Sequence, residues 1–325
     1  MVRLVAYPPL SIRYNSRDFG TVLPDGVNTL LLWPEQLLWA VATVGRANFV
    51  DVLAHGKYSE YELIYRISMV LANLTRAQGN QLQKSPAFLH LDPSEKGSVS
   101  YFLGLAVCKL FAEALLGVPW LLHLDVYRDR LDLVENTTSR QRPDLIGRDS
   151  AGRWIVMESK GRTNGTSPGL LAAGKWQTQY VRSIGGQAVS LRAAAVTYFS
   201  RGRLVFDWKD PEGFNEKALD LKTDPEEYLR LYYRLIYNVL SNNESKPVSG
   251  YRLYSFEDIG FSIGLRSSIY EAYRRQQPLG KLEWPEKGRV LPLSSLTNQQ
   301  FYTGTDGVIV GATEQLKQRL RYSQS

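Results

Sequence analysis

Residues 142–162 read RPDLIGRDSAGRWIVMESKGR, and the reading of this stretch decides the fold. Two apolar runs, RPDLIG and RWIVMESKG, flank the turn-forming RDSAG, which is the pattern of a β-hairpin. Side chains two apart on a strand share a face. Glu158 and Lys160 therefore project with Trp154 and Val156, while Ile155, Met157 and Ser159 face the other way. A carboxylate and an ammonium ending an apolar strand are costly to bury unless paired. They can pair with each other or with a metal, and Asp144 reaches the same point if the two strands form a hairpin. Two carboxylates and one ammonium then converge at a sheet end. Oxygen donors of this kind suit a hard divalent cation, Mg2+ or Mn2+, better than zinc. The plainer reading is a surface aspartate beside an ordinary Glu–Lys pair.

Upstream, Asp92-Pro93-Ser94-Glu95 reads as a helix start: Asp92 caps free N–H groups, Pro93 suits the first turn and Glu95 completes a capping box. That helix is expected to run to about Leu116 and stop before Gly117 and Pro119. The following WLLHLDVYRD sets Leu122, Leu124 and Val126 against His123, Asp125 and Tyr127, which is strand spacing. Downstream, GRTNGTSPG leads into a helix expected over Leu170–Ile184. AAAVTYFS and RLVFDW then flank Arg201-Gly202 as a strand pair on a tight turn. The order helix, three strands, helix, two strands predicts an α/β class with a mixed sheet. Pro34–Val44 and Ser59–Leu74 read as helices, and YPPLS and LPDG as short strands or an arm. Asp224 starts a helix through Tyr228–Leu240. A helix near Ser267–Gln276, a strand at Gly307–Gly311 and a final short helix complete the reading. The polar, proline-punctuated Ala77–Lys96 marks a boundary, giving an accessory region (1–91), a core (92–210) and a helical or mixed C-terminal accessory region (211–325).

At Pro143-Asp144 and Glu158-Ser159-Lys160 the chain resembles the PD-(D/E)XK nuclease superfamily, the restriction-endonuclease-like fold. The order of elements from Asp92 to Trp208 is similar to that family's helix, three strands, helix and strand. The resemblance implies a central mixed sheet flanked by helices, with Asp144 and Glu158 as ligands of Mg2+ or Mn2+ and the Ser159 carbonyl as a further ligand. It implies that Lys160 positions the nucleophilic water. The implied activity is endonucleolytic hydrolysis of phosphodiester bonds, with DNA expected ahead of RNA and defence against foreign DNA as the setting. Many members carry a glutamate on the helix before the first strand, and Glu113 is the acid in the later turns here. Some members carry a Gln-xxx-Tyr element on the second helix. KWQTQYVR holds Gln177 and Tyr180 at a different spacing, and Gln177, on a helical face with Gly174, Val181 and Ile184, is carried as a catalytic candidate.

The net charge is +7, and residues 140–203 concentrate it, with eleven Lys/Arg against Asp144, Asp149 and Glu158. Clustered cations attract phosphates, so Arg162, Lys175 and Arg182 are expected to contact a nucleic-acid backbone. Asp125 reads as a solvated acid, His123 as a packed histidine and Cys108 as core. One cysteine and three histidines exclude a disulfide framework and a Cys-rich zinc module. No GxxxxGK[ST] loop is present, so no in-chain ATP motor is indicated. The most apolar stretch, Tyr101–Leu124, is broken by Lys109, Glu113 and Pro119, which argues against a membrane span and for a soluble, cytoplasmic protein. The alternative function is a non-catalytic nucleic-acid-binding module, or a structural partner subunit, retaining the fold. Either could act as a homo-oligomer or within a larger complex.

Overall fold

The computed structural model describes residues 9–44, 57–124, 142–210, 213–292, 299–318 and 320. Arg140, Asp125 and Tyr127 lie outside them. The helices are α1 (Pro34–Thr43), α2 (Lys57–Asn73), α3 (Pro86–His90), α4 (Pro93–Leu116), α5 (Pro168–Thr178), α6 (Pro225–Asn242), α7 (Ser267–Arg274) and α8 (Glu314–Gln318). The first strands are β1 (Leu10–Arg17), β2 (Gly26–Leu32), β3 (Leu74–Arg76), β4 (Leu82–Lys84), β5 (Trp120–His123), β6 (Leu145–Arg148) and β7 (Trp154–Gly161). They are followed by β8 (Val181–Ile184), β9 (Gln187–Ala188), β10 (Leu191–Ser200), β11 (Arg203–Lys209) and β12 (Leu219–Leu221). Last come β13 (Lys246–Val248), β14 (Tyr251–Phe256), β15 (Phe261–Arg266), β16 (Arg289–Pro292), β17 (Gln300–Thr303) and β18 (Val308–Ala312).

The architecture is mixed α/β, with a central sheet in the order β2-β1-β11-β10-β7-β6-β5. β5, β6 and β7 form an antiparallel meander. The chain crosses over through α5 and returns as β10, parallel to β7. β10 and β11 then pair as a hairpin, and Arg201 and Gly202 both take positive φ (49° and 78°). Two consecutive left-handed residues suit a two-residue turn matched to strand twist. β1 adds to β11 in parallel and β3–β4 reaches β11 from the side, so residues before 92 contribute to the same sheet.

Helix α4 occupies one face of this sheet. Asp92 accepts from the amides of Ser94 (2.7 Å) and Glu95 (3.2 Å), and the Glu95 carboxylate accepts from the Asp92 amide in return. Gly117 closes the helix in the left-handed region (φ 65°). Both ends fall where the sequence puts them. Asp92→Ala is expected to cost about 1 kcal/mol, read as a lowered denaturant midpoint with unchanged slope. By length and composition α4 could span a membrane, but 78% of its most apolar window is buried inside the protein. It packs on β7 and β10 on one side and on α1 on the other. That double burial explains an apolar surface all round.

Two expectations are corrected. The helix expected over Leu170–Ile184 stops at Thr178, and Val181–Ile184 is a strand. Its parallel partner is β12, some forty residues on, and the Arg192 guanidinium donates to the carbonyls of Val181 and Arg182 at 3.1 Å each. Long-range partners thus override the local helical pattern. The alternation expected from Trp120 onward is absent in β5, where all four residues are buried. The Tyr228 hydroxyl of α6 donates to the Trp120 carbonyl, and Tyr233 accepts from the Trp120 indole, so β5 is covered rather than half-solvated.

The C-terminal region builds an antiparallel six-stranded sheet, β13-β14-β15-β18-β17-β16, with α6 and α7 packed against it. A buried polar network ties it to the rest. Asp306, in the β17–β18 turn, accepts from the Trp39 indole of α1 at 3.1 Å and from Tyr232 of α6 at 2.5 Å. Lys109 of α4 donates to the Pro119 carbonyl and to Tyr232.

Candidate active site

The register places Leu145 opposite Met157, so Asp144, one residue outside the ladder, falls opposite Glu158. Residues directly opposite on antiparallel strands share a face. The Glu158 Oε2 accepts from the Asp144 amide at 2.9 Å, and the Asp144 Oδ2 accepts from the Ser159 amide at 3.0 Å. This reciprocal pair replaces the next rungs of the ladder and fixes both carboxylates where the strands part. The N–H and C=O of one residue in an extended strand leave by the same edge, so the Ser159 carbonyl faces the Asp144 side.

Glu158 is fully buried, and its other oxygen takes the Lys160 ammonium. Lys160 also donates to the Gln177 Oε1 at 2.7 Å, and Gln177 donates through Nε2 to the Arg142 carbonyl at 3.2 Å. Gln177 thus stands within the cluster, although its helix ends one residue later. Its helix approaches this closely because of Gly174: a Cβ there would sit 3.3 Å from the Glu158 Cγ and 3.1 Å from the Ala194 Cβ. Burial, followed by the neighbouring Asp144 charge, pushes the Glu158 carboxyl up to about 8, while Lys160 pulls it down. A buried acid beside a second, half-buried one relieves the repulsion by holding a proton or a cation between them.

The donor set fits a hard cation. Asp144 and Glu158 offer carboxylate oxygens and Ser159 a carbonyl on one strand edge, as oxygen-seeking Mg2+ or Mn2+ requires. Among the described residues no group of three or more His, Cys, Asp or Glu gathers, so the remaining positions would fall to water and substrate, as is usual for Mg2+.

Other candidates lie elsewhere. Glu113 accepts from Tyr302 (2.9 Å) and the Thr305 amide (3.1 Å), which joins α4 to the C-terminal sheet. Gly104 of α4 meets Ser159 and Gly161, and nine residues at 1.5 Å each put Glu113 roughly 13 Å along the axis from there. Its role is to hold the C-terminal sheet to α4. Arg182, on β8 rather than a helix, is ion-paired with Asp220, whose carboxyl falls to about 2 under that hydrogen bond. Its charge is therefore already matched. Lys175 is half-buried on α5, while Arg162 is exposed just past β7, with its amide on the Thr197 carbonyl at 2.8 Å. Buried His123 contacts the Tyr101 hydroxyl at 3.0 Å. Cys108 is core, 3.9 Å from the Met157 sulfur, and burial pushes its thiol up. The Arg142 carbonyl, which anchors Gln177, is a main-chain group with no side-chain signature to find it by.

In comparisons with known proteins the chain matches no family model, no curated protein and no solved structure.

Proposed function

We propose that the chain is a cytoplasmic, divalent-cation-dependent nuclease with a restriction-endonuclease-like core, hydrolysing phosphodiester bonds in DNA, with defence against foreign DNA as its setting. The observation that carries the reading is the Asp144–Glu158 pair, opposite one another where β6 and β7 part, with Lys160 held between Glu158 and Gln177. The order α4, β5, β6, β7, α5, β10 around that pair supports it. Asp144, Glu158 and the Ser159 carbonyl would hold Mg2+ or Mn2+. Such a cation supplies Lewis-acid polarisation of the phosphoryl group and charge to offset its transition state. Lys160 keeps a proton-bearing nitrogen on the face where Glu158 ends, 31% exposed and able to orient a water for in-line attack. Gln177 fixes that ammonium through its amide oxygen, and the Arg142 carbonyl fixes Gln177.

The test is cleavage of a mixed DNA and RNA panel with Mg2+, with Mn2+, and with chelator. Hydrolysis that needs the divalent ion and disappears in Asp144→Ala is expected. Binding without hydrolysis under every ion would instead support the non-catalytic binding module.

A further inference from the structure

The six-stranded C-terminal sheet carries a cavity at one end, and the register says which side chains face it. Tyr251 pairs with Arg266, and Arg289 with Thr303. Residues directly opposite on antiparallel strands share a face, and the ladder through Gly264 and Ile309 puts both pairs on the same one. The Tyr251 hydroxyl donates to the Thr303 Oγ1 at 3.2 Å. In a flat sheet β14 and β17 would lie three spacings, roughly 14 Å, apart, with side chains perpendicular to it. They meet because the sheet curls toward this face. Arg266 and Arg289 therefore stand on the concave face with Tyr251 and Thr303, and all four line a cavity of about 640 Å³.

The opposite wall is the segment 283–287, which leads into β16. Three contacts fix it. Arg266 donates to the Glu283 carbonyl at 2.9 Å. The Trp284 ring stands 4.8 Å from that of Trp120 and lies parallel to that of Tyr233. Gly288 passes so close to Tyr302 that a Cβ would run into its hydroxyl. The fold itself thus holds the cavity open. Its lining has three chemistries. Arg266, Lys287 and Arg289 bring positive charge, and among the described residues none of them has an ion pair. Three cations around one cavity repel each other until an anion joins them. Trp284 is half-buried, and its ring surface on the cavity is of the kind that stacks a planar base. Glu283 and Glu286, exposed on the wall, accept from hydroxyls. A lone phosphate would use the cations alone and be repelled by these acids. The volume is that of sites for drug-sized ligands, about 300–1,000 Å³. A molecule carrying a phosphate, a planar base and hydroxyls uses the whole lining.

We infer that this cavity binds a nucleoside phosphate, with its phosphate on Arg266, Lys287 and Arg289 and its base on Trp284. None of the lining residues belongs to the cluster around Asp144 and Glu158, so the site does not rest on the nuclease reading. It gives the C-terminal sheet a ligand of its own.

The experiment is a calorimetric titration of the full chain with AMP, GMP, CMP and UMP and with their triphosphates, in EDTA. The chelator removes any divalent ion through which a phosphate could reach Asp144 and Glu158. At least one nucleotide should bind one to one, with the matching nucleoside about 10-fold weaker or more, since it lacks the charged contacts. Pyrophosphate should be weaker as well, having no base to stack. Lys287→Gln/Arg289→Gln alters two exposed side chains and should weaken the nucleotide by about 10-fold or more. Lys287→Arg should keep the affinity, and Asp144→Ala should bind as wild type does. Failure of every nucleotide to bind at millimolar concentration overturns the site, as does binding that survives the double glutamine change. Binding lost in Asp144→Ala would move the ligand to the carboxylate pair and overturn it too. Pyrophosphate as tight as the best nucleotide would overturn the choice of ligand. Whether the chain cleaves DNA alters none of these results.

Discussion

Glu158→Ala is expected to lower phosphodiester turnover by about 10^3-fold while leaving the unfolding midpoint unchanged or raised. The two halves of this result have one cause. Glu158 is fully buried beside Asp144, and burial holds its carboxyl up at about 8. A carboxyl whose folded pKa lies above its unfolded value of 4.5 stabilises the fold only in its protonated form. As pH rises from about 4.5 through 8, the folded state binds more protons than the unfolded one and loses stability relative to it. Removing the group removes that opposition. Opposed effects on fold and turnover are what a carboxylate serving the proposed chemistry would give. Turnover under Mg2+ and a denaturant titration at neutral pH measure both halves. Full turnover in the variant would make this carboxylate irrelevant to catalysis, and a collapsed fold would make it structural.

Gly161→Ala carries the largest expected effect on stability. A Cβ at this position would lie 1.8 Å from the Ser100 carbonyl oxygen and 2.7 Å from the Tyr101 Cα. These are backbone atoms of α4, which no rotamer change can move. Relief requires α4 to lift from the end of β7, next to Lys160, so about 3 kcal/mol of stability is expected to go, together with part of the activity. Gly97→Ala, on the same helix, has nothing within 4 Å of its added methyl. It should gain about 0.5–1 kcal/mol from helix propensity. Opposite signs in the two denaturant midpoints check the account. A tolerated Gly161→Ala would mean that the two elements slide freely.

What the sequence made legible was local. Asp92, Glu95 and Gly117 name their own helix because caps act within a turn, and Arg201-Gly202 names its hairpin because a turn is two residues. The hairpin across RDSAG was legible as the way Asp144 could reach the end of the strand that carries Glu158. The register that sets the two opposite one another came from the structure. What stayed hidden was set by distant partners. Val181–Ile184 becomes a strand because Leu219–Leu221 lies beside it, and no window around residue 181 contains that partner. The C-terminal sheet escaped for a related reason. Tyr251–Phe256 and Phe261–Arg266 carry Arg252, Ser255 and Ser262 among their apolar residues, and their pairing becomes evident only once β18 closes on β15. Arg182 read as a phosphate contact because nothing within its own helix or strand reveals Asp220. At the site, residue types were readable and their engagement was not: Gln177 meets Lys160 only through the crossover of α5.

The pairing of β1 with β11 bears on how the chain reaches this structure. Ser16 pairs with Trp208 and accepts from its indole across 192 residues of sequence. At about 5–20 residues per second of synthesis, β1 waits roughly 10–40 s before its neighbour emerges. Until then the edge of β1 that takes β11 has no partner, and an open edge carrying apolar residues such as Leu10 and Ile12 is a template for pairing with other chains. Chains emerging in succession from one message bring such edges close together. The yield of native protein should therefore depend on translation speed and on holdase chaperones, through a strand that takes no part in the chemistry.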